Sequence, residues 1–198
     1  GIAGLFHGQT LNAAGLARDA GVSRTTVLGY LDVLEDTLLA FRLPAFEGKL
    51  RVRERKHPKF YVFDPGIARA LRGPVDVRPA REEIGPLLEG WILAVIRAYG
   101  HHRELFDEWA YWSPAEARTT DVDLVLRRGR EYLAIEIKAG RAESADDFAG
   151  LRAIAELKGL RRRVLVCTAE RARTTADGIE VLPVARFLTE LHGDRLWP

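Results

Sequence analysis

Asp123-Leu-Val-Leu-Arg-Arg-Gly-Arg-Glu-Tyr-Leu-Ala-Ile-Glu-Ile-Lys138 reads as two short strands around a turn at Gly129. Alternate residues of a strand share a face. Ile135 and Ile137 therefore point to a core, and Glu136 and Lys138 point together to the other face. Two carboxylates from neighbouring strands, Asp123 and Glu136, with the ammonium of Lys138, are suited to hold a divalent cation and offset a developing negative charge. Asp121 shares the face of Asp123 at the strand entrance and is a lesser candidate.

The flanking sequence alternates helix and strand. Leu88, Trp91, Ile92, Val95 and Tyr99 mark an amphipathic helix, and Leu105–Trp112 a strand before the hairpin. Phe148, Leu151, Ile154 and Ala155 mark a second helix behind a Ser144 cap, followed by a buried strand over Arg163–Thr168. Ile179–Leu182 reads as an edge strand and Val184–Leu191 as a last helix. The first three strands form an antiparallel meander. The strand at 163–168, reached through a helical crossover, pairs in parallel, which makes a mixed sheet flanked by helices.

The first third is helical. Leu11, Ala14, Ala17 and Ala20 mark a small-residue face ending at Gly21, and Ser23 caps a helix over 24–36 whose face is Val27, Tyr30, Leu31 and Leu34. A short Gly-Val-Ser turn joins the two, as in a helix-turn-helix. β-prone runs at Leu38–Leu43 and Phe60–Phe63 flank the basic stretch Lys49–Lys59, giving a winged helix-turn-helix with a charged wing. Pro- and Gly-rich sequence around 74–85 separates an expected winged-helix domain at 1–73 from a second domain at 86–198.

The order of helix, three strands, helix and strand over about 86–168, with Asp123, Glu136 and Lys138, resembles the PD-(D/E)XK, or restriction-endonuclease-like, fold. The resemblance implies a Mg²⁺-dependent phosphodiesterase site with catalytic residues Glu89, Asp123, Glu136 and Lys138. Metal ligands would be Asp123, Glu136 and Glu89, with the carbonyl of Ile137 a further donor. Glu89 lies at the edge of its helix's apolar stripe, where a carboxylate needs a partner, either a metal or an ion pair to Lys138. The adjacent carboxylates favour a charged Lys138 that positions water and stabilises charge rather than acting as a base. Ser23-Arg-Thr-Thr-Val, Tyr30-Leu-Asp-Val-Leu-Glu-Asp-Thr and Pro58-Lys-Phe-Tyr-Val-Phe-Asp-Pro-Gly-Ile-Ala-Arg-Ala-Leu71 are similar to the region after the ATPase domain in a bacterial and archaeal family of AAA+-type ATPases. That implies an ATPase domain upstream on the same polypeptide. No G-x-x-x-x-G-K-[ST] pattern occurs in this chain, so it is not expected to hydrolyse ATP alone.

DNA is the expected partner. Arg24, Thr25 and Thr26 open the second helix, where a reader meets phosphates or base edges, and Arg51, Arg53, Arg55, Lys56 and Lys59 line the wing. Asp32, Glu35 and Asp36 on the same helix argue the other way, toward a non-catalytic DNA- or protein-binding regulatory module with an inactive nuclease-like fold. Net charge is only +2, but further basic runs stand at Arg127, Arg128 and Arg130 and at Arg161, Arg162 and Arg163. The single Cys167 lies in an apolar run, reads as core and permits no internal disulfide, which fits a cytoplasmic setting. No apolar run approaches bilayer-spanning length. His7, His57, His101, His102 and His192 have no ligand spacing, and His101-His102 reads as a turn after Gly100. Asp64 reads as a helix cap. The chain has no Met and begins Gly-Ile-Ala-Gly, which reads as a fragment excised from a longer protein.

Overall fold

The structure, a computed structural model, describes residues 4, 6–48, 56–73, 75–114, 120–141 and 144–198. It is a mixed α/β chain with two sheets, divided into two compact units, 1–44 with 57–94 and 45–56 with 95–198.

In the first unit, β1 (Gln9–Thr10) precedes α1 (Ala13–Ala20) and α2 (Arg24–Asp36). Each start has its own cap: Asn12 accepts from Gly15 N, and Ser23 accepts from Thr26 N. Gly21 closes α1 with φ 64°, a left-handed position that suits glycine. The buried face of α1 is Ala13, Leu16 and Ala17. Ala14 and Ala20, expected inside, are exposed: once the helix starts at Ala13, a period of 3.6 carries them off the core stripe. In α2, Val27 and Leu31 are buried, whereas Tyr30 is exposed. Strands β2 (Ala40–Leu43) and β3 (Lys59–Val62) pair antiparallel in the order β1-β3-β2, so the two β-prone runs that flank the basic stretch do meet. Asp64 accepts from Ile67 N to start α3 (Pro65–Arg72).

Helix α4 (Arg81–Arg103) starts inside the stretch expected to be linker and continues through Pro86. Arg81–Ala94 belongs to the first unit and Val95–Arg103 to the second. The helix also runs through His101 and His102, past the turn expected after Gly100. Gly100 serves close approach rather than termination, since a Cβ there would lie 2.1 Å from the Phe106 ring.

The second unit holds a six-stranded sheet in the order β4-β5-β6-β7-β9-β8. Its strands are β4 (Glu108–Trp112), β5 (Val122–Arg128), β6 (Glu131–Lys138), β7 (Leu160–Cys167), β8 (Arg173–Thr174) and β9 (Glu180–Pro183). The first three are an antiparallel meander, and β6–β7 and β7–β9 are parallel, as the crossover argument requires. The strand at 180–183 is interior rather than an edge, because the short β8 pairs outside it. Between β6 and β7 run a 3₁₀ turn (Ala145–Phe148), α5 (Ala149–Ala153) and a second 3₁₀ turn (Ile154–Glu156). Phe148, Leu151 and Ile154 from this segment pack on Val125, Ala134, Leu165 and Cys167 of one sheet face. Arg162, on the face of Val164 and Val166, donates to Glu190 of α6 (Val184–His192) at 2.6 Å. Tyr99 and Arg103 of α4 also meet His192 of α6, so α4 and α6 share that opposite face. No helix among the described residues is long and apolar enough to cross a membrane.

Candidate functional site

The β5–β6 register pairs Leu124 with Ile135 and Val125 with Ala134. One step further along, Asp123 stands opposite Glu136 on the face covered by α5, since directly opposed residues project the same way. Both are buried, at 8% and 5% exposure, against an apolar cluster. Their placement is local in origin: Ile135 and Ile137 turn to the α4–α6 face, so the residues between them must turn to the other. Asp123 Oδ2 accepts from Ile137 N at 2.9 Å, which pins one carboxylate to the neighbouring strand.

Lys138 follows Glu136 on the same face, with Nζ 2.6 Å from Glu136 Oε1. Burial alone would pull the Lys138 ammonium down. Glu136 first, then Asp123 and Asp147, outweigh it, and the group stands above its ordinary value. Lys138 thus keeps its proton. Asp147 belongs to the 3₁₀ turn, where its carboxylate accepts from Ser144 N at 3.0 Å. It was missed as a neighbour of Lys138, although Ser144-x-x-Asp147 carries the capping-box signal. Gly150 lets α5 lie directly on β5: a Cβ there would sit 1.9 Å from Asp121 O. Among the described residues, Asp121 Oδ1 and Ser113 Oγ are buried without a hydrogen-bond partner.

Among the described residues no three His, Cys, Asp or Glu side chains gather closely enough to hold an ion. The donors that the hairpin brings together are two carboxylates, Asp123 and Glu136, both hard oxygen ligands. Glu89 lies in the first unit, where Lys59 Nζ is 2.9 Å away and Tyr61 donates its hydroxyl to the same oxygen. The partner that satisfies this half-buried carboxylate is therefore Lys59.

Of the expected nucleic-acid contacts, Arg24 and Thr25 are exposed on the first turn of α2. Thr26 Oγ1 and Ser23 Oγ are 2.8 Å apart within the cap. Arg24 borders a recess of about 320 Å³ with Asn12, Arg42 and His57. Arg42 donates to Asp32 at 2.6 Å and also to Glu35, so two of the acids that argued against a phosphate partner are ion-paired. Lys59 is 12% exposed and ion-paired to Glu89. Lys56 is exposed. Arg51, Arg53 and Arg55 lie outside the described residues.

Residues 2–77 match a domain of unknown function (DUF8612), and residues 84–187 match a second domain of unknown function (DUF4143). The uncharacterized protein Rv2008c of Mycobacterium tuberculosis (strain ATCC 25618 / H37Rv) is 31% identical over 195 residues. The uncharacterized protein Mb2031c of Mycobacterium bovis (strain ATCC BAA-935 / AF2122/97) is equally similar. Each alignment covers 96% of this chain but 42% of the relative, so the chain spans less than half the length of these relatives. No solved structure matches significantly. With a match that runs over 84–187, more than half of its length, the chain belongs to the family of the domain of unknown function DUF4143.

Proposed function

We propose that this chain is the DNA-interacting module of an AAA+-type ATPase, a winged helix followed by a restriction-endonuclease-like domain with a Mg²⁺-dependent phosphodiesterase site. The observation that carries the reading is the pairing of Asp123 and Glu136 on one face of an antiparallel hairpin, with the charged Lys138 2.6 Å from Glu136. The family is often found in AAA-ATPase-associated proteins, which supports the ATPase context.

Two carboxylates suit Mg²⁺, which is commonly bound through one or two of them, with waters and substrate phosphates completing an octahedron. Asp123 and Glu136 would hold the ion. The ion would supply Lewis-acid polarisation of the phosphoryl group. Asp123 is held in place by Ile137 N, which limits its reorganisation. Lys138 keeps its proton and acts as a fixed positive charge beside the scissile phosphate, where charge grows in the transition state. The apolar cluster of Phe148, Leu151 and Ile154 beside the acids lowers the local dielectric and strengthens each of these interactions.

The test is cleavage of supercoiled, linear, single-stranded and branched DNA with Mg²⁺ or Mn²⁺, run beside Glu136→Ala and Lys138→Ala. Metal-dependent cutting that both variants lose supports the reading; equal cutting by Glu136→Ala sinks it. The ion pair between Lys138 and Glu136 also favours a second reading, a non-catalytic DNA- or protein-binding regulatory module whose charges serve structure. It expects no cleavage by any variant, including when the full ATPase chain is assayed.

A further inference from the structure

We propose that the turn end of the six-stranded sheet is a second phosphate-backbone site, in which Arg130 and Lys158 grip a nucleic-acid strand; it rests on the DNA-interacting reading above. Two basic runs about thirty residues apart in sequence converge there. The β5–β6 turn at Gly129-Arg130 meets the Lys158-Gly159 loop before β7. Tyr132 N donates to Gly159 O at 2.9 Å, and a Cβ on Gly159 would lie 2.2 Å from Arg130 O. Gly159 also has φ 91°, so glycine is required twice over at this junction. The result is a cavity of about 800 Å³ walled by Arg127, Arg130, Tyr132, Lys158 and Arg161.

The cations are not equivalent. Arg162 and Arg163, from the same run as Arg161, turn away: Arg162 to Glu180 and Glu190, Arg163 to the carbonyls of Leu151 and Asp177. Arg127 is held by Glu108 at 2.6 Å and Asp107 at 3.5 Å, and Arg161 by Glu131 at 2.9 Å. Arg128 is 3.9 Å from Glu131 and stacks over Trp197. Arg130 and Lys158 are exposed and make no ion pair among the described residues. Of the five cations Arg127, Arg128, Arg130, Lys158 and Arg161, the first two and the last face acids, and Arg130 and Lys158 have no ion pair among the described residues.

Two exposed cations flanking a half-buried tyrosine ring on an open surface suit a passing phosphodiester backbone better than an enclosed small anion. The site is separate from the acids. Tyr132 and Glu136 share a face of β6 but lie four residues apart, ~13 Å along the strand, and the apolar cluster on Ala134 lies between them.

Binding of a labelled duplex and a labelled single strand, followed by fluorescence anisotropy across a salt series, tests the site. Arg130→Ala with Lys158→Ala touches two exposed side chains, and circular dichroism checks that the fold is kept. Removing two phosphate contacts should lower the slope of log K against log salt by roughly 1.8 on duplex, or about 1.4 on a single strand. Affinity at low salt should fall by about tenfold or more. Wild-type binding with an unchanged slope and affinity in the double variant overturns the proposal, as does absence of wild-type binding. Binding that needs Arg130 and Lys158 without any metal-dependent cleavage by wild type keeps this site and sinks the nuclease reading.

Discussion

Replacing Gly150 by alanine sets two physical effects of opposite sign against each other. In an open helix, Gly→Ala stabilises by up to about 1 kcal/mol because alanine loses less backbone entropy. At Gly150 the new Cβ would stand 1.9 Å from Asp121 O and 2.7 Å from its carbonyl carbon, both well inside the 3.4 Å at which ordinary contact begins. Both are backbone atoms of the segment entering β5, so relief requires α5 to lift from the sheet. That in turn loosens Leu151 and Phe148 in their apolar cluster. Overpacking of this kind costs about 1–3 kcal/mol, which in a chain of this length lowers Tm by roughly 2–12 °C. Gly29 in α2 is the matched control. It is helical and has no atom within 4 Å of a built Cβ, so Gly29→Ala should stabilise by about 0.5–1 kcal/mol. Thermal and urea unfolding followed by far-UV circular dichroism would read both. A Gly150→Ala protein as stable as wild type, or more so, refutes the close approach of α5 to β5 and the enclosure of Asp123 and Glu136 that depends on it.

Arg162, with its side chain 10% exposed, bridges Glu180 and Glu190, so Arg162→Met leaves the buried Glu190 with Arg186 alone; a loss of about 1–3 kcal/mol is expected in urea titration, and adding Glu190→Leu should recover much of it. His7 is held below its ordinary value by burial, against the pull of its hydrogen bond to Pro86 O and with help from Arg72. A base depressed on folding contributes stability present above pH 6.5 and lost as pH falls through the folded value, so the urea midpoint of wild type should drop on acidification in that window and that of His7→Gln should not. Asp177 is lowered to about 2 by the Thr175 hydroxyl and then Arg152. Its contribution is present above pH 3.8 and lost as pH falls toward about 2; a thermal scan across that range should show Asp177→Asn to be less acid-sensitive than wild type.

The β5–β6 hairpin was legible because everything that defines it lies within sixteen residues: apolar alternation, a glycine at φ 61° in the turn, and polar residues forced onto one face by the pleat. The helix starts at Ser23 and Asp64 were legible for the same reason, since a cap bonds to a backbone group three residues away. Where a decision depended on a distant residue, tertiary structure made it. Gly100 looked like a stop but makes room for Phe106, and Pro86 sits inside a helix. The strand at 180–183 became interior only when Arg173–Thr174 paired outside it. Charges were the least legible. Sequence shows that Glu89, Asp32, Glu35 and the arginines at 161–163 exist, but their partners Lys59, Arg42, Glu131, Glu180 and Glu190 are chosen by which side chains folding brings within a few ångströms. Local hydrogen bonding and side-chain period are written in neighbouring residues, whereas ion pairing and close approach depend on Coulomb and steric terms that act only at short range in space. Sequence alone therefore determined the hairpin and the face that Asp123, Glu136 and Lys138 share, and tertiary structure decided which other charges were neutralised and which, like Arg130 and Lys158, were left facing solvent.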